Sequence, residues 1–215
     1  MYAALRRFRA DHVFNPWSDV DALDVSPQPG AQRLARLRRH FDCDPTFVLV
    51  GEASGYQGCH ASGIPFTSER LLLQGSVPRV AVPCRLTSRP RPWSEPSASI
   101  VWGTLQALGI AERVVLWNAF PWHPHRPGAP YSNRRPTHTE LQQGVASLKA
   151  VLARFEHAVV IAVGQIAHQA LVPLVGSDVP LLRHPAYGGA RAFSSGLTAL
   201  TRARGRRMAP AHPSR

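Results

Sequence analysis

Three stretches of the chain combine residue types in ways that chemistry uses. The first, Gly51-Glu52-Ala53-Ser54-Gly55-Tyr56-Gln57-Gly58, runs on to Gly63-Ile64-Pro65-Phe66-Thr67. A glycine-rich turn exposes backbone N–H groups and lets a ligand approach closely. Its spacing fits neither a dinucleotide fingerprint nor a P-loop, which would also need a lysine. Phe66 offers a flat face for a planar ligand, or else a core position. Glu52 beside a pocket would have a raised pKa and could act as a base, or it could simply tie the loop to backbone amides. The second stretch is Trp117-Asn118-Ala119-Phe120-Pro121-Trp122-His123-Pro124-His125. The Asn118 side chain holds a donor and an acceptor in one plane, matching the edge of a pyrimidine; its plainer role is to cap a strand end. His123 and His125 lack partner ligands, so loop packing is a stronger reading than metal binding. In the third stretch, Arg183-His184-Pro185-Ala186-Tyr187-Gly188-Gly189, His184 is placed to donate a hydrogen bond to a developing oxyanion.

These residues need elements to position them. FVLVGE (47–52), RVVLWNAF (113–120) and AVVIAVG (158–164) read as buried parallel strands, with a short fourth at Leu181–His184. Helical patterns cover 31–41, with Leu34 and Leu37 on one side and the arginines on the other, and also 98–108, 165–175 and 190–203. Thr137 with Glu140 forms a capping box for another helix reaching about Phe155. Strands alternating with helices, without hairpin signals, predict an α/β fold: a three-layer α/β/α sandwich on a four-stranded parallel sheet. Ligands of such folds sit beyond the carboxyl ends of the strands. Glu52, Asn118, Gly164-Gln165 and His184 all fall at those ends, so one crevice should gather them. A single domain over residues 1–203 is expected, with residues 1–30 packing on it as an extension and 204–215 forming a loose basic tail.

The 215 residues include 25 Lys+Arg against 13 Asp+Glu, a net charge of +12, and only Lys149 is a lysine. Arginine suits phosphate, although a GC-rich genome would enrich it regardless of function. The whole excess lies in acid-free windows at 1–9, 31–41 and 202–215. Two Pro-rich loops add Arg85, Arg89 and Arg91, then Arg126, Arg134 and Arg135. These are candidate phosphate contacts, or solvated loop charge. Cys43, Cys59 and Cys84 cannot form a disulfide framework. No apolar run is long enough to span a membrane, and no secretory signal follows the N-terminal arginines. A cytoplasmic, monomeric, basic protein is the expectation.

The order GEASG, GIPFT, strand-end Asn118, Asn133-Arg134-Arg135-Pro136-Thr137, Gly164-Gln165 and His184-Pro185 resembles the uracil-DNA glycosylase superfamily over residues 46–195. Families 4 and 5 are the most similar. The resemblance implies a four-stranded α/β/α sandwich that flips uracil from DNA and hydrolyses its N-glycosidic bond in base-excision repair. DNA containing uracil would be the partner and free uracil the product. Gly51, Ala53, Ser54 and Gly55 would form the loop that meets the base. Phe66 would stack on the base, Asn118 would read its O4/N3 edge, and His184 would hydrogen-bond O2 as charge builds there. Arg85, Arg89, Arg91, Arg134 and Arg135 would contact the strand.

This sequence also departs from the family pattern. Ala53 stands where the best-known members position water with Asp or Asn, which leaves Glu52 to take that task. Ser54 replaces a common proline, and Tyr56 lies near the place of a bulky wall residue. Gly188-Gly189 occupy the place of a leucine wedge, so Tyr187 or Arg191 would fill the gap left by the base. Families 4 and 5 hold an iron–sulfur cluster on four cysteines; with three, this chain should need no cluster, metal or other cofactor. Excision of another deaminated base, such as hypoxanthine or xanthine, is the alternative within the class. A non-catalytic lesion or abasic-site binder and a nucleotide-binding domain are the alternatives outside it.

Overall fold

The apolar runs form strands because β-branched residues alternate between two buried faces. In the computed structural model, which describes residues 1–208 and side chains through Arg206, β1 (Val13–Phe14) precedes β2 (Phe47–Ala53). Four more follow: β3 (Val114–Phe120), β4 (His123–Pro124), β5 (Val159–Val163) and β6 (Leu181–Leu182). The main sheet has the order β3-β2-β5-β6 and is parallel throughout. Val48, Val50, Val115 and Trp117 face one helical layer, while Phe47, Leu49, Val114 and Leu116 face the other.

The first layer contains α2 (Pro29–His40), α6 (His138–Arg154) and α7 (Gln165–Val175). The second contains α5 (Pro96–Ala107) and α8 (Ala190–Met208). Short α1 (Tyr2–Arg7), α3 (Cys59–Ser62) and α4 (Glu69–Leu73) and a single 3-10 turn at Ala111–Arg113 complete the helices among the described residues. The expected α/β/α sandwich is what forms. The capping box forms as well: the Glu140 N–H donates to Thr137 Oγ1, and the Thr137 N–H donates to Glu140 Oε2. Such a cap stabilises a helix start by about 1 kcal/mol.

Three local expectations change. Arg33 and Arg36 do not share a solvated face of α2. Arg33 is fully buried and ion-paired with Asp24, and Arg36 is buried with its guanidinium on the Cys84 carbonyl. The final strand stops at Leu182, so Arg183 and His184 lie beyond the sheet. The last helix continues to Met208 rather than ending at 203, and Arg204 packs over the Phe47 ring. The remainder of the expected tail, 209–215, lies outside the described residues.

The N-terminal segment packs on the domain through Trp17, whose Nε1–H donates to the Gly63 carbonyl at 3.0 Å and whose ring lies 5.9 Å from that of Trp117. β1 pairs antiparallel with β4, a small ladder outside the main sheet.

Candidate active site

Because β3 follows β2 on one side and β5 flanks it on the other, the topology reverses between β2 and β5. A cleft opens there, the expected place for a ligand in such a sheet. Its volume is about 710 Å³, and it is lined by Glu52 from β2, Val163 to Ile166 around the end of β5, Leu181 to His184, Ala186, Tyr187, and Asn133 to Arg135. Three of the four strand ends singled out by sequence therefore meet. The fourth group, Asn118, does not line the cleft; it pairs with Gly51, the residue before Glu52.

Gly51 and Asn118 are paired neighbours on β2 and β3 and face the same layer as Phe66. A Cβ on Gly51 would come within 2.6 Å of the Phe66 ring and 2.7 Å of the Asn118 carboxamide. Only glycine allows these groups to close on one another. Asn118 is 2% exposed and Phe66 7%. With its carboxamide turned so that both ends are satisfied, Asn118 donates to the Trp117 carbonyl at 3.0 Å and accepts from the Ser54 N–H at 3.2 Å. Each atom keeps one further hydrogen-bonding position. Ser54 is anchored in turn, donating to the Pro121 carbonyl at 2.5 Å. Phe66 has a φ of +50°, a left-handed conformation rare for an aromatic residue and costing on the order of 1–3 kcal/mol.

His184 stands beside Phe66, with ring centroids 5.9 Å apart. The Ala186 N–H donates to its Nδ1 at 3.2 Å, which places the proton of a neutral imidazole on Nε2. Burial, aided by the charge of Arg183, lowers its pKa from the ordinary 6.5. Near neutral pH it is therefore an uncharged Nε2–H donor. Gly164, at φ +95°, makes the turn into α7 that brings the chain against the His184 Cβ.

Glu52 is half-buried, and its pKa is raised by burial and partly restored by Arg135. Ala53 offers no polar side chain. The Tyr56 N–H donates to Asn133 Oδ1 at 3.1 Å, tying the first loop to the Asn133–Arg135 wall. Of the expected strand contacts, Arg135 and Arg91 are exposed, and Arg85 and Arg89 are half-buried. Arg134 is committed internally: it forms two hydrogen bonds of 2.7 and 2.6 Å with the Glu140 carboxylate and a third with the His125 carbonyl. Tyr187, Gly188 and Arg191 are all exposed, with Tyr187 on the cleft itself.

His123 is an internal link. Its Nδ1 shares a 2.8 Å hydrogen bond with His60 Nδ1, while His60 Nε2 meets Asp21 at 2.9 Å and His123 Nε2 meets the Ser132 carbonyl at 2.8 Å. No group of three or more candidate metal ligands occurs among the described residues.

Sequence reading missed Glu95. Its carboxyl packs against Gly55 and Gly58 behind the first loop and accepts from Ser97, and burial pushes its pKa up to about 7. The Glu-Pro pair at a helix start signals only a helix boundary, and the contact is purely tertiary. Asn133 and Gln165 were visible in motifs, but their place on the cleft required the fold.

The Uracil DNA glycosylase superfamily model matches residues 39–215, and the chain belongs to that superfamily. It is a DNA N-glycosylase, a hydrolase of N-glycosyl bonds that acts on DNA. Its fold is similar to the crystal structure of wild-type Pedobacter heparinus SMUG2, with a TM-score of 0.62 at 13% identity, covering 95% of this chain and 96% of that one. No curated protein matches the chain in sequence.

Proposed function

We propose that the protein is a monofunctional uracil-DNA glycosylase of base-excision repair that works without a metal or cluster and acts as a monomer. The observation that carries this reading is that a neutral Nε2–H donor at His184 and a carboxamide at Asn118 both lie near the Phe66 ring. Uracil stacked on Phe66 would present O2 to His184 and its N3–H and O4 to Asn118. Asn118 accepts from N3–H and donates to O4. Cytosine reverses both polarities, which costs about 1–3 kcal/mol for the groups left mispaired.

As the C1′–N1 bond breaks, its electron pair passes to the base and negative charge collects on O2. His184 stabilises that charge without first giving up a proton. Water then adds to C1′ and passes its proton to the ionised Glu52, the one carboxylate among the cleft-lining residues. Gly51 to Gly55 bring backbone and Ser54 close to the base. Arg85, Arg89, Arg91 and Arg135 would hold the strand; Arg134 braces the loop beneath them. Tyr187, on the turn with Gly188 and near Arg191, would fill the gap left by the flipped nucleotide.

The test is incubation with oligonucleotides carrying one uracil, one hypoxanthine or one xanthine, followed by alkali. Uracil should give cleavable abasic sites. Release of only a purine would move the assignment to another deaminated base. Release of none, with tight binding to an abasic oligonucleotide, would make the protein a lesion binder and overturn the proposal.

A further inference from the structure

Asp21, His60, His123 and Ser132 form a buried row with three short contacts. Asp21 Oδ2 lies 2.9 Å from His60 Nε2, the two Nδ1 atoms lie 2.8 Å apart, and His123 Nε2 lies 2.8 Å from the Ser132 carbonyl. Each contact needs one hydrogen. A carbonyl can only accept, so His123 donates from Nε2. Burial brings the His123 pKa down to about 3, so its ring is neutral and its Nδ1 holds a lone pair. His60 must therefore donate from Nδ1.

On its other side His60 meets Asp21, whose Oδ1 accepts from the Leu23 N–H at 2.7 Å and from the Tyr131 hydroxyl at 2.8 Å. Burial works to raise the Asp21 pKa, but these donors and His60 outweigh it and bring it down to about 2. An ionised carboxylate cannot donate, so His60 donates from Nε2 as well. One carboxylate and two neutral imidazoles carry only two hydrogens for the three contacts. The row needs one proton more, and His60 holds it.

That ring is enclosed, with Phe14 of β1 stacked on it at 3.7 Å. Asp21 and Asp24 favour a positive charge there and Arg33 of α2 opposes it. His123 faces His60 and His125. Burial is the largest influence on the His60 pKa and lowers it, against the hydrogen bond and charge of Asp21. A neutral His60, however, would set two lone pairs face to face at 2.8 or 2.9 Å, too close for a water between them. The charged ring instead completes the row and pairs with the carboxylate in a charge-assisted hydrogen bond.

Ser132 directly precedes Asn133, Arg134 and Arg135, which form one wall of the cleft, and Asn133 Oδ1 in turn holds the Tyr56 N–H of the first loop. Resting on the reading of the cleft as a base-excision site, we infer that His60 is kept as an imidazolium whose two hydrogens fasten this wall to the N-terminal segment, which makes it a positioning residue for the bound strand. The row is complete at neutral pH and loses its proton as pH rises, so the wall loosens on the alkaline side.

The test starts from nitrogen–proton correlation spectra of the imidazoles in the full chain, which need no DNA. At about pH 7.5, a unit above the ordinary histidine value, His60 should carry hydrogen on both nitrogens and His123 on one. Asp21→Asn supplies the missing hydrogen from its own amide while its oxygen still accepts from Leu23 and Tyr131, so His60 should become neutral in that variant. Affinity for an abasic oligonucleotide is then read by fluorescence anisotropy at matched salt. In wild type it should fall about ten-fold, roughly the worth of one hydrogen bond, as pH rises through the His60 titration, and in Asp21→Asn it should stay level. A singly protonated His60 in wild type at about pH 7.5, or the same alkaline fall in both proteins, would overturn the inference. Absence of uracil release with the spectra as expected would sink the proposed function and leave the charged row standing.

Discussion

At the scale of single residues, the chemistry rests on two groups whose pKa values move toward each other. Burial raises Glu52 from 4.5, and burial lowers His184 from 6.5. The reaction needs Glu52 ionised and His184 neutral, and both conditions are met as pH rises. Single-turnover excision should therefore increase with pH along one acid limb, above 4.5 for Glu52 and below 6.5 for His184. Glu52→Gln should slow the reaction and leave only the His184 part of that limb. A pH profile identical to wild type would remove Glu52 from the mechanism. The specificity claim has its own check: Asn118→Asp should relax rejection of cytosine, and unchanged selectivity would show that Asn118 does not read the base. Asn118 was legible in the sequence because it is the polar residue within a strongly apolar strand, and His184 because it follows a short apolar segment and precedes a proline. The internal commitment of Arg134 and the burial of Glu95 were not, because both depend on partners from distant segments.

At the scale of elements, the long strands and helices follow closely from local pattern. The strand expected at 158–164 forms as Val159–Val163, and the helix expected at 165–175 forms as Gln165–Val175. Short elements such as α3, α4 and the β1–β4 ladder have too few residues to carry a period, and tertiary contacts decide them. One of those contacts is the hydrogen-bonded row from Asp21 through His60 and His123 to Ser132, which joins the N-terminal segment to the loops around the cleft. Burial lowers the pKa of His123 and of His40 to about 3 from 6.5. The unfolded chain therefore binds protons below pH 6.5 that the folded chain refuses. Stability should fall as pH drops from 6.5 toward 3, by roughly 1.4 kcal/mol per histidine per pH unit. Denaturant midpoints measured on either side of pH 6.5 check this, and a midpoint that rises on acidification would contradict it.

At the scale of the molecule, net charge is a poor guide to the nucleic-acid surface. Arg33 and Arg36 count toward +12 but lie in the core, and Arg134 is neutralised by Glu140. The exposed Arg135 borders the cleft. Arg135→Ala should therefore weaken DNA binding and reduce the slope of log affinity against log salt by about one. Arg134→Ala should instead destabilise the fold by about 1.5–3 kcal/mol. Equal salt slopes for wild type and Arg135→Ala would remove that residue from the strand path. The most direct measurement of the central claim is single-turnover release of uracil from DNA by wild-type protein and by His184→Ala. Wild type should leave an alkali-labile site, and the variant should be about 10²–10³-fold slower at unchanged stability. Equal rates for the two proteins would contradict the account.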